Sequence, residues 1–144
     1  MYRKAIFAIS YREENGKVKY LLLKRKLHWR GWEFPKGGMN LLESKIDAVK
    51  REIKEETGLK VLKIKKFPIS GKYPYAKKLL DRKGITGQTF SLFAVKVKGS
   101  KIKLDDLEHS NYIWLEFSEA VKKLTWPNQK KCLKVVNEYL INSK

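Results

Sequence analysis

Three glutamates of one predicted helix carry the most specific chemistry in this sequence. Glu52, Glu55 and Glu56 stand at i, i+3 and i+4. At about 100° per helical residue they share one face, where their like charges repel. A hard cation such as Mg²⁺ or Mn²⁺ prefers carboxylate and water oxygens and would turn that repulsion into coordination. The pattern therefore indicates a candidate metal site.

An apolar stripe runs beside these carboxylates on the same helical wheel. Ile46, Val49 and Ile53 are predicted to pack on the core. We therefore expect the carboxylates at the border between core and cleft. A solvated acidic face supported by pairs such as Arg51 to Glu55 explains the helix pattern alone equally well.

The segment before the predicted helix must position the helix and its carboxylates. Residues 32–35 predict a short extended entry, and the pair Gly37-Gly38 permits backbone conformations that other residues resist. About fourteen helix-compatible residues without proline follow. Gly58 is expected to end the helix in a left-handed cap.

The spacing of particular residues across residues 37–59 favours a metal site over a solvated acidic face. It resembles the Nudix box at the following positions: Gly37, Glu43, Arg51, Glu52, Ile53, Glu55, Glu56, Gly58 and Leu59. The resemblance implies a hydrolase that cleaves a nucleoside diphosphate linked to another group, by attack of water at phosphorus. It also implies an α/β fold, a Nudix-type α/β/α sandwich with a mixed β-sheet.

The same resemblance assigns roles to individual residues. It implies that the metal ligands for Mg²⁺ or Mn²⁺ are the helix glutamates Glu52, Glu55 and Glu56. The Gly37 backbone would complete the metal shell, Arg51 would orient one glutamate by an ion pair, and Glu43 would be an accessory carboxylate. Which glutamate also deprotonates the water varies across the family and stays open.

Two segments outside the box resemble the asymmetric diadenosine tetraphosphate hydrolases. They are the entry WEFPKG (32–37) and the stretch LEHSNYIWLEFSEA (107–120). Asn40 departs from the pattern, because an acidic residue is often found there. The run at 86–88, Thr-Gly-Gln, resembles bacterial RNA 5′-pyrophosphohydrolases and keeps that substrate open.

Candidate substrate contacts follow from the chemistry of a polyphosphate and a base. Lys36 is predicted to bind a phosphate, and Tyr75 or Tyr73 to stack on an adenine, although either tyrosine would also serve as a loop anchor. Arg30 is a further candidate substrate contact near the helix start. Glu108 is a candidate metal-side carboxylate or base.

The remaining reactive side chains are predicted to be structural. His28 is interpreted as a structural residue and His109 as a turn residue, so a histidine-centred nucleophilic triad has little support. Cys132 is predicted to be a small buried hydrophobe of the last helix, and a lone cysteine excludes an internal disulfide.

The order of elements supports one domain over residues 1–144. An Asn15-Gly16 turn predicts a hairpin, and residues 70–85 read as a strand end and a mobile loop. Predicted strands cover 2–10, 18–25, 59–69, 86–98, 101–104 and 111–116. Predicted helices are a short one capped by Ser118 and a final one from Pro127 to about Leu140.

The charge and the hydropathy of the chain limit the classes of partner that we expect. The chain of 144 residues carries 33 basic and 15 acidic residues, a formal net charge of +18, which favours polyanionic partners or is only compositional. No apolar run of membrane-spanning or signal length occurs, so we expect a cytoplasmic protein, a monomer without membrane contact.

The predicted activity is hydrolysis of diadenosine tetraphosphate to ATP and AMP. Removal of pyrophosphate from RNA 5′ ends, and hydrolysis of nucleoside triphosphates or nucleotide sugars, are the enzymatic alternatives. A basic nucleic-acid-binding module that kept the fold and lost the chemistry is the alternative of another class. The intact residues Arg51, Glu52, Glu55 and Glu56 argue against that last alternative.

Overall fold

The computed structural model describes residues 1–99 and 101–143, and within them the chain forms one sheet flanked by helices. Its strands are β1 (Tyr2–Glu14), β2 (Lys17–Arg25), β3 (Gly31–Glu33), β4 (Lys36–Gly38), β5 (Lys60–Pro74), β6 (Gly87–Lys98) and β7 (His109–Leu115). Its α-helices are α1 (Lys45–Thr57), α2 (Phe117–Lys123) and α3 (Pro127–Asn142). Within those residues, no helix is long and apolar enough to cross a membrane.

The sheet is mixed, as predicted. Its order is β3-β2-β1-β6-β5, with β4 paired to β1 and β7 paired to β2. β1 and β6 run parallel, whereas the other pairs are antiparallel. The predicted hairpin is confirmed, because Asn15 and Gly16 both have positive φ, at 51° and 78°, between β1 and β2.

Alternation along β1 supplies both faces of the sheet with apolar side chains. Phe7 and Ile9 pack in a cluster with residues of α2 and α3, whereas Ile6 and Ala8 pack in a second cluster with residues of α1. Successive strand residues point to opposite faces, so one strand serves two cores. The result is the predicted α/β/α sandwich.

Helix α1 ends at its predicted cap, Gly58, and begins behind Ser44, which the sequence analysis did not single out. The Ser44 hydroxyl accepts a hydrogen bond from the Asp47 N–H at 3.1 Å, and Gly58 takes the left-handed conformation with φ of 71°. The prediction for Ile46 was wrong, because its side chain is 40% exposed. On the helical wheel the buried residues of α1 centre near Val49 and Glu56, and Ile46 lies about 70° from that centre, between Ile53 and Thr57. Its exposure therefore follows from its place in the first turn of α1 rather than from the face that it occupies.

Several element boundaries differ from the sequence predictions. Strand β1 runs to Glu14 rather than to residue 10, and β7 begins at His109 rather than at residue 111. Residues 101–104 form no strand, because their Lys103 N–H bonds to the Thr57 carbonyl at the end of α1 rather than to a neighbouring strand. Ser118 does not cap α2. The helix begins at Phe117, which packs against the core, and Glu116 occupies the N-cap position. Strand β5 continues to Pro74, into the segment predicted as a loop.

Candidate active site

The glycine turn brings the sheet against the carboxylates of α1. β4 pairs with β1, and Gly37 lies directly opposite Ile6. A Cβ placed on Gly37 would overlap the Glu52 carboxylate. Only glycine therefore lets the backbone lie against this carboxylate, which is the contact that the sequence motif requires.

Arg51 organises one side of the carboxylate group. Its guanidinium donates to both oxygens of Glu43 at 2.7 and 2.9 Å, to Glu52 at 2.7 Å and to Glu55 at 3.2 Å. A further bond at 2.8 Å reaches the Gly38 carbonyl. These bonds to Arg51 lower the pKa of Glu43 to about 2, so this carboxyl group is ionised at neutral pH.

Glu56 lies deeper than the other glutamates of α1. It is 2% exposed, and its Oε1 accepts the backbone N–H of Lys36 at 3.1 Å. Its Oε2 has no hydrogen-bond partner among the described residues. Burial, together with the negative charges of Glu52 and Glu108, raises the pKa of Glu56 well above its usual range. A cation beside it would relieve this cost.

A buried network connects Glu56 to the start of the glycine turn. His109 contacts Glu33 Oε2 through Nε2 at 2.9 Å and lies 3.5 Å from Glu56 Oε2 through Nδ1. Arg25 donates to the same Glu33 oxygen at 3.1 Å. Burial would raise the pKa of Glu33, but Lys36, His109 and Arg25 outweigh it and lower that pKa to about 2.

The donor set fits a divalent cation. Ligand atoms of Glu56, Glu108 and His109 all lie within 4.8 Å of one another. Glu52 and Glu108 line a narrow cleft together with Gly37. Burial raises the pKa of Glu52, although the bond from Arg51 acts in the opposite direction. Closely spaced, desolvated carboxylates with an unpaired oxygen are what Mg²⁺ or Mn²⁺ stabilises. Glu55 lies on the rim, with 56% of its side chain exposed.

An apolar cavity of about 550 Å³ opens beside this cleft. Five aromatic residues stand on its walls: Trp29, Tyr73, Tyr75, Phe90 and Trp126. Lys36 lines both the cavity and the cleft, and Glu33 lines the cavity as well. A flat apolar group in the cavity would thus lie next to a cation and to the carboxylates.

Four cationic side chains reach the cleft from separate elements. Arg3, Arg25, Lys36 and Arg82 line it together with Glu52 and Glu108. The guanidinium groups of Arg3 and Arg82 share this cleft, and burial together with the charge of Arg82 lowers the pKa of Arg3. Such crowding of like charge favours an anion between them.

Tyr75 is anchored by its hydroxyl group. It donates to Gln88 Oε1 at 2.9 Å and accepts from Arg82 at 2.8 Å. Its ring lies 5.5 Å from that of Trp29, between centroids. The hydroxyl therefore serves as the loop anchor, while the ring stays on the cavity wall.

The structure gathers most of the predicted residues and separates one. Lys36, Tyr73 and Tyr75 lie on the cavity wall, and Gly37 and Glu108 on the cleft. Arg30 is exposed and is not among the described residues that line the cavity or the cleft. Its role as a substrate contact stays a prediction.

Sequence reasoning missed three buried members of the network, and Arg25 is one of them. Glu33 was not singled out between Trp32 and Phe34, and His109 was interpreted as a turn residue, although both are 1% exposed or less. The register of β2 with β7, which places Arg25 opposite His109, is what brings them together. A charged residue inside an apolar strand entry was the available signal for Glu33.

Comparison with known proteins places the chain in a family. A family model described as the NUDIX domain matches residues 1–136. An RNA pyrophosphohydrolase of a Nitratiruptor species is 34% identical over 125 residues, covering 81% of each chain. Another, of Stenotrophomonas maltophilia, is 34% identical over 104 residues, which are 65% of this chain and 50% of that protein.

A solved structure supports the fold. The C. elegans Ap4A hydrolase, in a binary complex, superposes with a TM-score of 0.78 at 24% identity, over 97% of this chain and 98% of that one. At this identity the likeness concerns the fold alone. The family match, the sequence identity of the relatives and the carboxylate geometry show that the chain belongs to the Nudix family and hydrolyses phosphoric anhydride bonds.

Proposed function

We propose that this chain hydrolyses diadenosine tetraphosphate to ATP and AMP with a divalent metal ion. The observation that carries the proposal is the shared wall residue Lys36, which joins an aromatic cavity to a carboxylate-lined cleft. A base in the cavity would therefore have its phosphates directed over Lys36 toward the carboxylates. This is the arrangement that a nucleoside polyphosphate requires.

The cavity suits a nucleobase. Tyr73 and Tyr75 stand on its wall with Trp29, and each presents an aromatic surface for stacking. Base-to-aromatic stacking contributes about 1 to 3 kcal/mol per base in proteins that bind single strands. Because stacking tolerates every base, it supplies affinity rather than identity.

The cleft suits a phosphate chain. Arg3, Arg25, Lys36 and Arg82 offset the charge of the phosphates, and the net charge of +18 attracts polyanions over a longer range. Lys36 is held against Glu33 at 3.7 Å, which limits where its ammonium can sit. A fixed ammonium positions a phosphate for in-line attack.

The carboxylates would hold the metal ion. Glu52 and Glu56, with the Gly37 carbonyl and Glu108 beside them, are the residues that would bind Mg²⁺ or Mn²⁺, and Glu55 would contribute from the rim. When bound, the ion polarises a phosphoryl oxygen and lowers the pKa of a water ligand. Arg51 holds Glu52 and Glu55 in place, and Glu43 holds Arg51.

The position of the cut follows from fixed distances. One adenine in the cavity and one phosphate on Lys36 set which phosphorus reaches the carboxylates. We expect attack at the phosphorus next to one adenosine, with cleavage of its bond to the bridging oxygen. The products would be ATP and AMP rather than two ADP.

Hydrolysis in ¹⁸O-labelled water with Mg²⁺ tests this proposal. Mass spectrometry of the products should find ATP and AMP, with the label in AMP. Label in ADP would contradict the off-centre cut. Omission of the metal, with a chelator present, should abolish turnover, and full activity in the chelator would contradict metal dependence.

A second candidate is removal of pyrophosphate from triphosphorylated RNA 5′ ends. The two relatives named as RNA pyrophosphohydrolases, each 34% identical, favour it. It uses the same base cavity and phosphate cleft. Rapid pyrophosphate release from triphosphorylated RNA, beside no cleavage of diadenosine tetraphosphate, would decide for this candidate.

A further inference from the structure

One polar side chain on the aromatic cavity has an unmet hydrogen-bonding group. Gln129 lines the cavity, is 3% exposed, and its Oε1 has no hydrogen-bond partner among the described residues. Buried polar groups in proteins nearly always have a partner. An amide kept in this position without one is therefore suited to a ligand that supplies the partner.

The local fold holds Gln129 in this place. Helix α3 begins at Pro127 behind Trp126, and the Gln129 N–H bonds to the Trp126 carbonyl at 3.1 Å. The first turn of α3 thus fixes the backbone of Gln129 beside the aromatic wall. Its amide is surrounded mainly by apolar surface, where an unpaired polar group is most costly.

A carboxamide offers an acceptor and a donor side by side. The edge of adenine presents the matching pair, an N6 amino donor next to the N7 acceptor, and glutamine bonds to both at once in protein complexes with nucleic acids. Hypoxanthine has a carbonyl oxygen in place of the amino group. A flipped amide could donate to that oxygen, but its own oxygen would then face N7.

We propose that Gln129 recognises the N6 and N7 edge of an adenine in the cavity and sets the base specificity of this enzyme. The inference rests on the proposed function, because it takes the cavity as the base site. Aromatic stacking alone distinguishes bases poorly, so base identity requires a polar group of this kind. Gln129 adds that group.

Glu33 is the other cavity residue with an unpartnered buried oxygen, Oε1. Its second oxygen is bound by Arg25 and His109, and Lys36 lies 3.7 Å from Oε1. An ionised carboxylate accepts hydrogen bonds but donates none, so it cannot pair with N7. The amide of Gln129 is the better match to the adenine edge.

Binding of AMP and IMP, measured by calorimetry without metal, tests the proposal independently of turnover. The wild-type protein should bind AMP about tenfold more tightly than IMP, on the scale of one good bidentate base contact. Gln129→Met, similar in length but apolar, should bring the two affinities together. Asn128→Ala, a change in the neighbouring half-buried amide on the same wall, should keep the wild-type ratio.

An AMP-to-IMP ratio that is the same in Gln129→Met as in the wild type would overturn the proposal, as would equal wild-type affinities. If Gln129→Met does not fold, as judged by circular dichroism, Gln129→Glu replaces it. This variant keeps an acceptor and lacks the donor for N7. AMP and 7-deaza-AMP should then bind equally well to Gln129→Glu, whereas the wild type should prefer AMP, and a preference retained by the variant would overturn the proposal.

The outcomes separate this inference from the proposed function. Wild-type preference for AMP that depends on Gln129, without hydrolysis of diadenosine tetraphosphate, would support base recognition and contradict the proposed reaction. Hydrolysis of diadenosine tetraphosphate with no preference between AMP and IMP would support the reaction and overturn the role of Gln129. Wild-type protein that binds neither nucleotide would overturn the inference and the use of the cavity as a base site.

Discussion

The cleft and the cavity meet at Lys36 but are built in opposite ways. The helix glutamates Glu52, Glu55 and Glu56 and the glycine turn come from one continuous stretch, residues 37–56, whereas the cleft's arginines and Glu108 come from other elements. The cavity is assembled entirely from parts that are distant in the chain, including Trp29, Tyr73, Phe90 and Trp126. The motif carboxylates of this protein are therefore local in sequence, whereas its recognition surface depends on how distant elements pack.

The two regions also differ in electrostatics. Charged side chains such as Arg3, Arg25, Glu52 and Glu108 line the cleft, and beside them buried Glu56 has one oxygen without a hydrogen-bond partner among the described residues. The cavity wall is mainly apolar and carries five aromatic side chains. We expect changes in the cleft to act on kcat and changes in the cavity to act on KM, because base stacking is present in ground and transition states alike.

Glu56→Gln should give the largest loss. The glutamine can keep the bond from the Lys36 N–H but loses the charge that would bind metal, so kcat should fall by about 10³ with the fold unchanged. Steady-state kinetics with Mg²⁺ and circular dichroism measure both. Glu138→Gln, on the exposed side of α3, is the matched control. Near-wild-type kcat in Glu56→Gln would remove this residue from the mechanism.

Arg51→Lys should weaken the cleft less. A lysine cannot bridge Glu43, Glu52 and Glu55 as the guanidinium does, so metal affinity or kcat should fall about 10- to 100-fold, as for other residues that orient ligands. Activity measured against Mg²⁺ concentration tests this. Arg12→Lys, which alters an arginine paired with Glu14 and absent from the cleft lining, should leave the curve unchanged.

Tyr75→Ala should act mainly on the cavity. Loss of stacking should raise KM about tenfold with a smaller change in kcat. Tyr75→Phe keeps the ring and removes the bonds to Gln88 and Arg82, so it separates stacking from anchoring. If Tyr75→Ala lowered kcat and left KM unchanged, the division between cleft and cavity would be wrong.

The salt response should be the smallest effect. If the net charge of +18 steers substrates, kcat/KM for diadenosine tetraphosphate should fall several-fold as salt rises, since exposed charges are screened beyond about 8 Å at physiological ionic strength. A nucleotide sugar, with less charge, should respond less. Equal responses for the two substrates would show that the charge is only compositional.

The sequence by itself determined the helix, its C-terminal cap and the order of its carboxylates. Ser44 and Gly58 delimit α1 through local hydrogen bonds and backbone conformation, which a few neighbouring residues specify. The α/β/α architecture followed for the same reason, because alternation and helical periodicity can be read from short windows. The exposure of Ile46 could not be predicted in this way, because it depends on how far the core covers the first turn of α1.

Only the tertiary structure decided the environment of the site. It placed His109 between Glu33 and Glu56 through the pairing of β2 with β7, and it brought Gln129 of α3 to the same cavity as Tyr75. These contacts join residues far apart in the chain. Their energies come from burial and from the distance between charges, and neither quantity is encoded in any local pattern of residue types.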